Sequence, residues 1–175
     1  DFADESEALD LIEQALVPVR DAGADWPILS LHWGPNMVPG PSPLFRRIAH
    51  AAIEMGWKIL YGHSAHIFQG IELYRGCPIL YAAGDLVDDY AVDPVLRNDH
   101  QLLYEIEIGD GVVQRMLLHP VFIADCQARP ATGARYDFIA RRITALCDAM
   151  GTQVSRFHEK LWIDVAPTAP ALRQP

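Results

Sequence analysis

Apolar positions recur at different periods along this chain, and each period predicts one kind of element. Near the start the spacing is helical. Ala8, Leu9, Leu11, Ile12, Leu16 and Val17 return every three or four residues, with Ser6 as the expected N-cap and Gly23 as the stop. Residues 27–32, Pro-Ile-Leu-Ser-Leu-His, then read as a short strand, followed by a loop containing Pro35, Pro39 and Pro41. Ser42 and Pro43 open a second helix whose buried face is Leu44, Phe45, Ile48, Ala49, Ala52 and Ile53, and Gly56 ends it. A second strand, 58–61, runs into Gly62-His63, and a third, 78–83, runs into Gly84-Asp85. Strand, helix and strand over 27–63 predict a βαβ crossover, hence a parallel pair and an α/β fold.

Further along, the period falls to two. Residues 102–108 and 112–123 alternate around Gly109-Asp110-Gly111, which predicts a hairpin, and 71–74 reads as another strand. A last helix is expected over Tyr136–Met150, with Ile139, Ile143, Leu146 and Cys147 inward. Residues 1–165 thus form the expected folded part of a mixed-sheet α/β domain, and 166–175, rich in proline and alanine, the expected disordered tail.

Composition narrows the function classes. The chain has 175 residues, half of them hydrophobic, which suits one ordinary core. A net charge of −9 argues against a nucleic-acid-coating protein, because phosphate neutralisation needs clustered Lys and Arg. No apolar run approaches the roughly 20 residues of a membrane span. The acidic first residues lack a signal-peptide pattern, so a cytoplasmic location is expected. The three cysteines lie far apart and are expected to be buried thiols rather than disulfides or zinc ligands.

Candidate chemistry gathers at strand ends. His32, His63 and Asp85 each terminate a predicted strand, and open α/β sheets bind ligands where strand carboxyl ends converge. His66 adds a third imidazole three residues after His63. Neutral imidazole suits Zn, Mn, Fe, Ni or Cu, so His32, His63 and His66 form a candidate metal constellation. A rival reading takes Gly62-His63-Ser64-Ala65-His66 as a nucleophile elbow, although His66 replaces its final glycine. Arg97 is either an anion-binding residue or a salt-bridge partner of Asp93 or Asp99. Asp88 and Asp89 are either solvated loop charges or ligands. His50, His100, His119 and His158 have no partner at a meaningful spacing.

Three stretches together carry a family resemblance: Leu31-His32-Trp33-Gly34, Gly62-His63-Ser64-Ala65-His66-Ile67-Phe68-Gln69-Gly70-Ile71-Glu72, and Tyr74 to Asp85. They resemble the CapA family of capsule and poly-γ-glutamate biosynthesis proteins over residues 27–90. The resemblance implies a metallophosphatase-like four-layer α/β sandwich with two divalent metal ions (Mn, Zn, Fe or Ca). It implies His32 as the isolated histidine ligand and His63 and His66 as the paired ones. The family often carries Glu where this chain has Asn36, and Asn where it has Asp85. The aspartates and the Asn-His motif of the family's first half have no counterpart in residues 1–26. The chain is therefore expected to be the C-terminal half of such a domain, with the missing N-terminal half as its partner.

Three functions are compatible with that resemblance. Metal-assisted phosphoester hydrolysis would use His66 and Asp85 for proton transfer, with Trp33, Asn36 and Arg97 contacting a small-molecule or peptide substrate. Proton transfer at a peptide Cα would make the protein an epimerase or another peptide-tailoring enzyme. A binding domain assisting polymer assembly would need no catalysis.

Overall fold

A computed structural model describes residues 4–87 and 91–166. The tail expected from 166 onward lies outside these residues except for Ala166, whose N–H donates to the Gln114 carbonyl. Asp88 and Asp89 also lie outside them.

Helix α1 (Glu5–Asp21) is capped by Asp4 rather than Ser6: the Asp4 carboxylate accepts the Ser6 N–H at 2.8 Å. A carboxylate there also complements the helix dipole, which a serine would not. Strand β1 (Ile28–His32), helix α2 (Pro43–Met55) and strand β2 (Ile59–His63) follow as expected, with β1 and β2 parallel. Ser42 caps α2 through the Phe45 N–H, and Gly56 ends it in the left-handed conformation. Strands β3 (Ile71–Tyr74) and β4 (Cys77–Leu80) form a hairpin. Strand β4 lies parallel to β2, so the first sheet is mixed, in the order β1-β2-β4-β3.

The second sheet is antiparallel. It contains β5 (His100–Gly109), β6 (Val112–Ala124) and β7 (Gln127–Pro130), then, after helix α3 (Gly133–Asp148), β8 (Ser155–Phe157) and β9 (Lys160–Asp164). Helix α3 starts one turn before the expected Tyr136, from Thr132. One face of the first sheet packs Leu29, Leu60 and Ile79 against α1 and α2. The other packs Ile59, Ile71 and Leu80 against α3 and the second sheet, through Ile139, Ile143, Met116 and Ile163. The described residues thus form a mixed α/β sandwich of two sheets and three helices.

The expectation of three buried thiols needs correction. Cys147 is buried, Cys77 is half-buried and Cys126 is exposed, because it sits at the turn between β6 and β7. Burial pushes the Cys147 thiol up to about 11. A thiol reagent applied to the native protein should label Cys126 first and Cys147 only after unfolding. Peptide mass spectrometry of a labelling time course measures this order, and equal rates at the two positions would contradict it.

Candidate metal-ligand and proton-transfer site

The parallel register sets His32 opposite His63 at the carboxyl ends of β1 and β2. Their ring centroids lie 5.2 Å apart in an edge-on arrangement. His63 is held below the ordinary imidazole pKa, first by burial and second by the neighbouring His32. Both causes favour the neutral ring, the form that can donate a lone pair to a metal. Ser30 Oγ, one step back on the same face of β1, lies 3.4 Å from His63 Nε2.

Gly62 is what lets this strand end pack so closely. A Cβ there would collide with the Tyr81 carbonyl and come within 2.5 Å of Trp33 Nε1. Without it, the Trp33 indole N–H donates to the Tyr81 carbonyl at 2.8 Å and ties the residue after His32 to the end of β4. Trp33 therefore faces a small cavity of about 140 Å³ under the proline loop, lined also by Phe45, Val38, Gln69 and Tyr81. The loop is fastened from below, since Gln69 Nε2 donates to the Val38 carbonyl and Met37 N–H to the Ala65 carbonyl. Asn36 is exposed and lines neither this cavity nor the cleft beside His66.

His66 stands apart from the histidine pair in its contacts. Its Nδ1 lies 2.8 Å from Asp85 Oδ2, and its backbone is left-handed with φ of +59°. It opens onto a cleft of about 510 Å³ whose other walls include Met37, Val92, Asp93, Pro94 and Asn98. The sequence placed three histidines together. The structure brings His32 to His63 and His66 to Asp85, and among the described residues no three His, Cys, Asp or Glu side chains converge closely enough to hold one metal ion. The donors at hand fit part of a metal centre, namely the two facing imidazoles of His32 and His63.

Arg97 takes the salt-bridge alternative, donating to both carboxylate oxygens of Asp99 at 2.8 and 2.6 Å. The nucleophile elbow does not form. Ser64 Oγ donates to the Gly34 carbonyl, and the chain runs on into β3 instead of a helix. Three of the four histidines set aside as unpartnered have acidic partners. His50 lies 3.1 Å from Glu72, His100 lies 2.9 Å from Asp99, and His119 lies 3.0 Å from Glu105. Each partner is reached through the fold or by immediate adjacency, which sequence spacing does not reveal.

Two polar residues that the sequence did not single out support these strand ends. Glu72 is 7% exposed and accepts from the Tyr81 hydroxyl at 2.6 Å and from Arg46 at 3.0 Å. Gln101 is fully buried, and its amide nitrogen donates to the His66 and Asn98 carbonyls. The one available signal was a glutamine beside an apolar alternating run.

Among the described residues no helix is long and apolar enough to cross a membrane. Residues 3–90 match the model of the family described as "Bacterial capsule synthesis protein PGA_cap". The chain is similar to a Mycobacterium tuberculosis protein named "Probable polyglutamine synthesis accessory protein", with 30% identity over 97% of this chain and 45% of that protein. It is also similar to the "Capsule biosynthesis protein CapA" of Bacillus anthracis, with 26% identity over 66% of this chain and 27% of that protein. The "PGA biosynthesis protein CapA" of Bacillus subtilis shares 35% identity over 38% of the chain and 17% of its own length. The chain spans less than half the length of these relatives. With the family model covering β1 and β2, which end in His32 and His63, and the loop after β4 that carries Asp85, this chain belongs to the PGA_cap family of bacterial capsule synthesis proteins.

Proposed function

We propose that this chain carries part of a divalent-metal-dependent site that hydrolyses a phosphoester in bacterial capsule or poly-γ-glutamate synthesis. The observation that carries the reading is the facing pair His32 and His63 at the carboxyl ends of two parallel strands. These residues would hold one ion of a two-metal centre, with further ligands supplied by the portion of the longer relatives that this chain does not span. A bound divalent ion supplies charge neutralisation and a water acidic enough to attack near neutral pH.

The chain's own residues do the rest. Asp85 at Nδ1 of His66 fixes the ring's orientation and keeps a proton on that nitrogen, so that Nε2 is the atom that gives or takes a proton. Trp33 stiffens the backbone next to His32, and the cleft beside His66 provides room for a small-molecule or peptide substrate. The same pair could instead shuttle a proton at a peptide Cα. A second reading, a non-catalytic domain that assists polymer assembly, draws on the word "accessory" in the mycobacterial relative's name.

The test uses the full-length protein with a generic phosphomonoester and with γ-glutamyl peptides in D₂O. Hydrolysis is expected to stop with a chelator and return with Mn²⁺. His66→Gln should lower kcat by about 10²–10⁴-fold, the usual contribution of a positioned acid or base. Chelator-insensitive turnover, or full activity in that variant, defeats the hydrolase reading. Deuterium at Cα without phosphate release selects proton transfer, and a metal-free, inactive protein that binds polymer selects the accessory role.

A further inference from the structure

One buried side chain contacts the backbone of His66 and lies beside Gly84, the residue before Asp85, without belonging to the His66–Asp85 pair. Gln101 lies at the start of β5, in the second sheet, and is 0% exposed. Its amide nitrogen donates both protons, one to the His66 carbonyl and one to the Asn98 carbonyl, each at 2.9 Å. His66 and Asn98 both line the 510 Å³ cleft, so one NH₂ group ties together two of its lining residues. The amide can sit only one way, because an oxygen in that place would face two acceptors.

The other end of the amide meets Asp85's neighbour. Gly84 adopts φ of +79°, and a Cβ on it would collide with Gln101 Oε1 and lie 2.9 Å from Cδ. Oε1 itself is buried and has no hydrogen-bond partner among the described residues, a cost offset by the nitrogen's two bonds. His66 lies outside the strands with φ of +59°, and its carbonyl takes its hydrogen bond from the Gln101 side chain.

We propose that Gln101 is the positioning residue of the His66–Asp85 pair. Its nitrogen pins the His66 backbone in the left-handed turn, while its carbonyl end presses on Gly84 and sets how near Asp85 comes to Nδ1. Calling the pair a proton-transfer device rests on the function proposed above. The positioning itself rests only on the contacts just given.

The experiment compares His66 imidazole resonances by ¹H–¹³C and ¹⁵N NMR in the wild-type chain, Gln101→Met and Gly84→Ala. Gln101→Met conserves volume, removes both donors and removes the orphan oxygen. It is expected to shift or double the His66 signals while leaving those of His119, on the far face of β6, in place. Gly84→Ala pushes the same amide from the opposite side and should move His66 as well. Unchanged His66 signals in a folded Gln101→Met protein, whatever its Tm, would reduce Gln101 to a core residue and overturn the proposal. If Gln101→Met does not fold, Gly84→Ala decides by the same criterion. The two ideas fail separately. Full activity of His66→Gln removes the function and leaves the positioning intact, whereas unchanged His66 signals in Gln101→Met remove the positioning and leave the function intact.

Discussion

Replacing His63 by alanine in the full-length protein is expected to lower its affinity for Mn²⁺ or Zn²⁺ by about 100-fold or more. Losing even an outer partner of a ligand typically weakens metal binding by 10–100-fold, and His63 would be a ligand itself. The neighbouring ring cannot compensate. His32 is fixed by its own strand, with a ring centroid 5.2 Å away, and alanine leaves no donor at the end of β2. His119→Ala serves as the control, because that side chain is 46% exposed and pairs with Glu105 on another sheet. Elemental analysis after dialysis, together with calorimetric titration, measures both variants. Equal metal content in wild type and His63→Ala would remove the basis for a metal centre at this strand end.

The second large effect is expected at Glu72, which unites two strands and α2. Burial alone would raise its carboxyl pKa. Hydrogen bonds from Tyr81 and Arg46, with His50 3.1 Å away, outweigh that and bring it below the ordinary value of 4.5. Glu72→Ala leaves the buried Tyr81 hydroxyl without an acceptor and Arg46 without its anion. Breaking a buried charge pair costs about 3–5 kcal/mol; with Arg46 42% exposed and partly screened, about 3 kcal/mol is the better figure. For a chain of this size that is a Tm lower by about 6–12 °C.

The pH dependence follows from the same contacts. A lowered folded pKa means the contribution is complete above pH 4.5 and is lost as pH falls through the folded value below it. The stability gap between wild type and Glu72→Ala should therefore narrow on acidification below 4.5, as thermal melts would show. A gap that stays constant from neutral pH down past that window would mean that the carboxylate's charge is not what matters.

How much of this was legible in the sequence depends on distance along the chain. The βαβ unit was legible because its information is local: apolar runs set β1 and β2, and Ser42-Pro43 and Gly56 bracket α2. His32 and His63 were legible as neighbours because parallel strands bring equivalent ends together. Strand β7 was missed because all four of its residues are exposed, so no alternation marks it. Strand β8 has only three residues, and β9 alternates over only five. The roles of Glu72 and Gln101 could not be read because Arg46, on α2, and His66 lie 26 and 35 residues away and reach them only through the fold. Asp4 replaced Ser6 as the helix cap because both are plausible caps, and the choice turns on where the first turn starts.

The family match ends at residue 90, yet side chains beyond it hold the matched backbone in place. Strand β3 is an edge of its sheet, and its outward N–H groups at Ile71 and Leu73 donate to Cys147 Sγ and Thr152 Oγ1 rather than to another strand. Chains emerge from the ribosome N-terminus first. The motif-bearing segment is therefore synthesised before the acceptors that finish its edge, and these two bonds can form only once residue 152 has been made. A shortened version stopping at residue 90 would keep every matched position and lose these late supports, so any transplant of the motifs into another scaffold has to carry its own replacements for Cys147 and Thr152.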